Sequence, residues 1–288
     1  MAEVSAASNI EVVIQPSSGW MNVPWRELWE YRDLLLVLVQ REFISRYKQT
    51  ILGPLWHLLQ PVIMTLVFVI VFGRIAGIAT DGIPTPLFYL CSLLAWNYFS
   101  QNITLIGSTF ISNAHIFGKV YFPRLIVPFS IAAANLIAFV LQLIPFLCFF
   151  AYYKITANPA LQGQPGWQVL LLPLPLLQVA ILSLGVGLLM SASTARYRDL
   201  VHLNQFIVQL WMFATPIIYP VSRIPARWQW LVWANPMSVP VEAFRCLLLG
   251  RGSLQPRDVV ISAAVALVTL FLGVAAFRRV ERTMVDIV

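Results

Sequence analysis

Lys119 is where a nucleotide-binding chemistry would have to begin, and its neighbours exclude it. Gly118-Lys119 is the only Gly-Lys pair in the chain. Val120 follows it where Ser or Thr must reach Mg²⁺, and Asn113 stands where the leading glycine of a phosphate-cradling loop belongs. ATP phosphates therefore have no cradle here. There is no HExxH pair, no CxxC pair and no nucleophile elbow. Cys91, Cys148 and Cys246 are odd in number and two fall within apolar stretches, so they read as packing residues rather than a disulfide or metal set. His115 is a lone histidine without ligand partners, and no metal site is expected. Asp81, Glu242 and Asp258 are the carboxylates that a sugar-transferring enzyme could use on the outer side. They lie in different segments and form no acid/base pair along the sequence.

The remaining clusters suit binding rather than bond making. Arg41, Arg46 and Lys48 concentrate positive charge that attracts anions. Asn113 and Lys119-Val-Tyr121-Phe122-Pro123-Arg124 mix aromatic and basic groups in one short loop, which fits docking on a partner protein or a solvated loop at a membrane edge. Gln205, Gln209 and Phe213 recur at i, i+4 and i+8, a polar-aromatic stripe that suits either a sugar path or hydrogen-bonded helix packing. Trp228, Trp230 and Trp233 precede Asn235-Pro236, and Tyr219 lies just upstream. Their rings suit the membrane headgroup zone or stacking against sugars.

The elements that position these groups are apolar helices. The chain has 288 residues, 59% hydrophobic and 11% charged, too apolar for a soluble domain. Six stretches approach the roughly 20 residues a bilayer crossing requires: 55–73, 86–111, 125–153, 169–193, 203–221 and 259–277. None has a charge at its centre, so no ion-coupled relay is available. With both termini cytoplasmic, the inner segments hold Arg26, Arg32, Arg41, Arg46 and Lys48, then Lys119 and Arg124, Arg196 and Arg198, and finally Arg278, Arg279 and Arg282, the majority of the 19 Lys and Arg residues. The net charge of +7 is thus a topology signal. Basic residues spread over separate loops make no stripe for nucleic acid.

Residues 1–24 hold Glu3 and Glu11, no Lys or Arg and no apolar core, so they read as a mobile tail and not as a signal peptide. Residues 25–50 read as an amphipathic helix in the inner membrane surface, with Glu42 and Arg46 paired at i,i+4. Gly53-Pro54 would turn the chain into the first span, which Pro61 would kink. Residues 112–124 read as a short helix that Asn113 would cap and Pro123 would limit. Arg196-Tyr197-Arg198-Asp199 fits either a lock between helices or an anchor at the membrane edge. Residues 222–250 are too short to span twice and too apolar for water. Split by Asn235-Pro236, they predict a re-entrant or interface-lying pair of helices in which Glu242 and Arg245 pair at i,i+3.

Several strings occur in a telling order: Arg46-Tyr-Lys-Gln-Thr-Ile-Leu-Gly-Pro-Leu-Trp56, Leu59-Gln-Pro61, Ala95-Trp-Asn-Tyr-Phe99, Phe122-Pro-Arg124, Tyr197-Arg-Asp199, Thr215-Pro-Ile-Ile-Tyr219, Asn235-Pro-Met237 and Val280-Glu-Arg282. Over residues 25–288 this set resembles ABC-type polysaccharide export permeases, the O-antigen (Wzm-like) and teichoic acid (TagG-like) transmembrane subunits. The resemblance implies an all-α integral membrane protein of the ABC type-2 exporter fold, with six transmembrane helices in a bacterial plasma membrane. It implies a homodimer joined by two nucleotide-binding ATPase subunits that carry ATP and Mg²⁺, with no cofactor in this chain. Residues 25–50 would be the interface helix and 112–124 the coupling helix on the ATPase, through Asn113, Lys119, Tyr121, Phe122, Pro123 and Arg124. Arg41, Arg46 and Lys48 would admit substrate. Gln205, Gln209, Phe213 and Tyr219 would line the channel, and residues 222–250 would form the outer gate. The cargo implied is an undecaprenyl-diphosphate-linked glycan, O-antigen or similar. The alternatives are a teichoic acid exporter or, from another class, a membrane glycosyltransferase acting on lipid-linked sugars.

Overall fold

A computed structural model describes residues 29–48, 50–119, 122–156, 166–252 and 254–285, and the described residues are helices and connecting turns without strands. The expected tail 1–24 and the start of the interface helix lie outside them, as does Tyr121. Helix α1 spans Arg32–Tyr47. Gly53, at φ +49, opens a 3₁₀ turn that leads into α2, Trp56–Phe68, which contains Pro61 and continues as a π-helical turn over Val69–Ile75. Then come α3 (Thr85–Gly107), the short α4 (Thr109–Ser112) and α5 (Ala114–Phe117), α6 (Ile126–Ile155), α7 (Pro173–Arg196), α8 (Leu200–Ala214), α9 (Ala226–Ala234), α10 (Ser238–Leu249) and α11 (Pro256–Val285).

Among the described residues, four helical stretches are long and apolar enough to cross a membrane: Gly53–Ile75, Ile126–Ile155, Trp167–Arg196 and Pro256–Thr283. The other two expected spans differ for physical reasons. The second is α3, which is 23 residues long and carries Ser92, Asn97, Gln101 and Asn102. It is the central helix, packed by α2, α6, α7, α8 and α10, so its environment is protein rather than lipid and polar side chains find partners. Asn97 Nδ2, for example, donates to Gln142 Oε1 of α6 at 3.2 Å. The fifth was expected to run to residue 221, but α8 stops at Ala214 after 15 residues. Thr215 turns to extended backbone ahead of Pro216, as a pre-proline residue prefers.

Around α3 the helices form a layer in the order α1, α6, α3, α7, α11. Its closest approach is between α7 and α11. A Cβ on Gly185 would lie 2.5 Å from the Leu270 amide nitrogen, and one on Gly273 would collide with the Gly185 carbonyl. These two glycines let the backbones touch, the usual device where lipid gives helices no hydrophobic reason to associate. Gly185→Ala should therefore lower the melting temperature of the detergent-solubilised protein by several degrees, reflecting an overpacking cost of about 1–3 kcal/mol. Gly166→Ala, where nothing lies within 4 Å of the added carbon, should not. Equal melting of the two variants would contradict this packing.

The sides of the bundle carry the exposed apolar residues that bilayer contact requires. Ile63 and Leu66 on α2, Val140 and Leu147 on α6, and Val268 and Phe271 on α11 are all more than half exposed.

Candidate functional site

Two ends of the bundle hold the groups singled out in the sequence. They are separated by the length of α3, about 34 Å for 23 residues. One end is basic: α1, the α4–α5 corner and the C-terminal part of α11. The other carries the α9–α10 hairpin.

At the basic end, the turn at Ser108 breaks the helix that was expected to run to residue 111, and α4 and α5 are single turns of four residues each. Asn113 occupies the position before α5 but its side chain does not cap it. Instead its Nδ2 donates to the Thr109 carbonyl at 3.1 Å and its Oδ1 accepts from Arg41 Nη2 at 3.2 Å. Arg41 also holds Glu42, its neighbour, at 3.1 Å. The expected Glu42–Arg46 contact is thus displaced, because Arg46 turns inward and its Nη1 donates to Asn135 Oδ1 at 2.6 Å. Burial pushes the Arg46 guanidinium down from its ordinary value, against the opposing pull of the Glu42 charge. Asn135 Nδ2 donates to Asn102 Oδ1 at 2.6 Å, and Asn102 Nδ2 to Ser183 Oγ at 3.0 Å. This polar chain stitches α1 to α6, α3 and α7 through three side chains that are essentially fully buried. Of the three residues expected to admit substrate, Lys48 is the one left exposed, while Arg41 and Arg46 are tied within the chain.

The 112–124 loop is not an exposed aromatic-basic patch throughout. Phe122 is buried, tilted against Phe117, and Phe117 in turn meets Phe110, which stacks on Phe277 of α11 at 4.5 Å. Arg124 lies over the Phe117 ring, and its Nη1 donates to the Glu281 carbonyl at 3.2 Å. Its backbone N–H donates to the Glu281 carboxylate at 3.2 Å. Pro123 is partly buried beside them. Among the described residues of the loop, the surface that remains open consists of Ser112, Ala114, His115, Gly118 and Lys119. Sequence reasoning missed this division because Phe122 belongs to one buried cluster with Phe110 and with Phe277 of α11, more than 150 residues away along the chain, and no local pattern encodes it.

At the hairpin end, α9 and α10 fall where the Asn235-Pro236 break placed them. Asn235 is the clasp. Its Oδ1 accepts from Trp211 Nε1 at 2.9 Å and from the Met237 amide at 3.0 Å. Its Nδ2 donates to the Ala214 carbonyl and to Thr215 Oγ1. The hairpin turn is thereby fastened to the end of α8. Pro236 offers its carbonyl to Ser262 Oγ of α11 at 2.9 Å.

Arg245 is the anchor of this end. Its side chain is 2% exposed, 2.8 Å from Glu242 Oε1, and donates to Ser92 Oγ of α3 and to the Pro216 and Ile217 carbonyls. The guanidinium also lies 4.0 Å from the centre of the Phe88 ring. The Glu242–Arg245 pair predicted from spacing is present and buried. Beside it is a cavity of about 270 Å³ lined by Asp81, Ser222, Glu242, Arg245, Arg251 and Gly252. Asp81 and Glu242, distant in sequence, thus meet at one cavity. Each already has a partner, Asp81 accepting from Ser222 Oγ at 2.6 Å. Asp258 lies apart from them at the start of α11, 3.6 Å from Arg257.

Trp228 and Trp230 are exposed, and Trp233 is partly buried. Trp228 borders a shallow groove of about 400 Å³ with Tyr219, Arg223, Ile224, Pro225 and Leu231. The Tyr219 hydroxyl donates to the Phe213 carbonyl at 3.3 Å. Gln205, Gln209 and Phe213 all lie on the exposed side of α8, alongside Phe206 and Leu210. The stripe is real as a face, and within one protomer it is uncovered. No group of three or more metal-ligating side chains occurs among the described residues.

The family described as ABC-2 type transporter matches residues 33–249, and this range contains both ends except for the contribution of α11. An O-antigen export system permease protein of Myxococcus xanthus is 32% identical over 88% of this chain and 94% of its own length. One of the same name from Klebsiella pneumoniae is 25% identical over 88% of this chain and 95% of its own. A polysialic acid transport protein of Escherichia coli is 27% identical over 86% of this chain and 93% of its own.

Proposed function

From its place in the ABC-2 type transporter family, to which this chain belongs, we propose that it is the membrane permease of an ATP-driven exporter of lipid-linked polysaccharide. The observation that carries the reading is similarity over nearly the full length to permeases named for O-antigen export and to a polysialic acid transport protein. An undecaprenyl-diphosphate-linked O-antigen or similar glycan is the cargo this reading favours, ahead of teichoic acid. The protein would sit in a bacterial plasma membrane with six crossings, α3 and the short α8 completing the four long apolar ones, and with both termini cytoplasmic.

Two copies of this chain would pair with two ATPase subunits that bring ATP and Mg²⁺. The ATPase would seat on Ser112, Ala114, His115, Gly118 and Lys119, the exposed part of the 112–124 coupling segment. The interface helix α1 would lie along the inner membrane surface, with the exposed Lys48 at its end toward the anionic diphosphate. Arg41 and Arg46 would hold α1 to the bundle rather than meet cargo directly. The exposed Gln205, Gln209, Phe213 stripe would face the second protomer and form the glycan path with Tyr219, and α9–α10 would close it outside.

Turnover would follow from these contacts. ATP-driven approach of the ATPases pushes on the coupling segment, the bundle shifts, and the outer hairpin opens. The glycan then slides over aromatic faces and amide groups, which grip hydroxyls without requiring one sugar sequence.

Depletion of the chain in its host tests the reading. Lipid-linked glycan should accumulate on the inner face and vanish from the cell surface, with synthesis continuing. Loss of synthesis itself would instead favour a membrane glycosyltransferase.

A further inference from the structure

Helix α11 touches both ends of the bundle, and it does so without interruption over 30 residues, about 45 Å. At the basic end its Glu281 is held by the backbone N–H and guanidinium of Arg124, and its Phe277 stacks on Phe110. Midway, Gly273 rests on the Gly185 backbone of α7. At the hairpin end the Ser262 hydroxyl donates to the Pro236 carbonyl and accepts from Gln178 Nε2 at 2.7 Å.

Ser262 is the informative residue. A hydroxyl in an apolar helix ordinarily bonds back to its own preceding turn. Thr269 and Thr283 of the same helix do this, to the Val265 and Arg279 carbonyls. Ser262 is buried and reaches off its helix to the turn that joins α9 to α10. α2 holds Pro61 and a π-helical turn, and α6 holds Pro145, whereas α3 and α7 run unbroken but, at 23 and 24 residues, are shorter than α11. α11 has neither a proline nor a π-helical turn after its first residue. A push on the corner at Arg124 therefore moves a stiff rod whose far end is hydrogen-bonded to the hairpin turn.

We propose that α11 is the strut that carries motion of the coupling segment to the outer hairpin, with Glu281 and Ser262 as the positioning residues at its two ends. This rests on the reading of residues 112–124 as the ATPase-coupling segment.

The test is a double-mutant cycle in the intact complex, with exported glycan per ATP hydrolysed as the readout and membrane levels matched. Glu281→Leu, which removes the acceptor of the Arg124 backbone N–H, and Ser262→Ala should each lower that ratio by about tenfold, the scale of one lost hydrogen bond to a charged or ordered partner. The double variant should be no worse than the poorer single one, because both cut the same connection. The two residues are about 28 Å apart along the helix, so unrelated packing defects would multiply instead. Multiplying effects, or an unchanged ratio in both singles, overturn the strut. If Glu281→Leu does not accumulate, Arg124→Met replaces it in the cycle, since it removes the guanidinium contact and keeps the backbone one.

Lys119→Glu separates the two levels of the argument. If it lowers the ratio while Glu281 and Ser262 variants are silent, the strut alone is wrong. If it is silent too, the coupling reading falls and takes the strut with it.

Discussion

Arg245→Ala is expected to leave almost no correctly folded protein, while the double variant Arg245→Leu with Glu242→Leu recovers much of what the single one loses. The guanidinium is buried, and it holds Glu242, Ser92, two carbonyls of the Pro216–Ile217 turn and the Phe88 face. Removing it alone strands the Glu242 charge and leaves those acceptors without their donor, a cost of about 3–5 kcal/mol for breaking a buried pair. Removing both charges for apolar groups avoids the stranded carboxylate and is often near neutral. Limited proteolysis between α8 and α10, together with the melting temperature, reads the outcome. A single variant as stable as the double would mean that the pair does not anchor this end.

His115→Glu combined with Lys119→Glu should abolish export in cells while the chain inserts and melts as the wild type does. Both side chains are exposed on the proposed coupling segment, so the change alters its surface and no buried contact. ATPase activity should persist in membranes without delivering glycan, or the ATPase should fail to bind; measuring both localises the defect. By contrast, Phe122→Asp would place a carboxylate in the Phe117–Phe110–Phe277 cluster and test folding instead. Normal export at normal protein levels in the His115/Lys119 variant would remove this surface from the coupling account.

The sugar-transferase alternative also acquires a sharper form. Asp81 and Glu242 do share a cavity, which their sequence positions concealed. An enzyme would need one of them free to exchange a proton, whereas Glu242 is paired with Arg245 and Asp81 with Ser222. Because Asp81 is partly exposed, Asp81→Asn leaves the fold intact and can be judged on export alone.

Local features of this protein were legible in its sequence. Apolar runs placed the long helices, Asn235-Pro236 placed the hairpin break, and i,i+3 spacing predicted the Glu242–Arg245 pair. Each depends on residues within one or two turns of one another. What escaped was contributed by distant helices. The Arg46–Asn135–Asn102–Ser183 chain draws on four elements, and no single helix betrays it, since Asn and Ser in a span fit packing as readily as a network. Arg46 read as a surface cation paired with Glu42 because its actual partner, Asn135, lies on α6. The end of α8 at Ala214 was hidden by continuing hydrophobicity through Pro216–Ile218, residues that are buried under α10 rather than helical. The exposed stripe on α8 was visible as a periodicity, but its burial state was not.

The central claim is that this chain works as a permease driven by a separate ATPase. Gentle purification from native membranes, with mass spectrometry of what stays bound, tests it most directly. The account predicts a subunit with a phosphate-binding Gly-Lys-Ser/Thr loop in a one-to-one ratio with this chain, lost on His115→Glu with Lys119→Glu if docking is what those residues provide. Purification of the chain without such a subunit, under conditions that keep other membrane ATPase complexes whole, would contradict it.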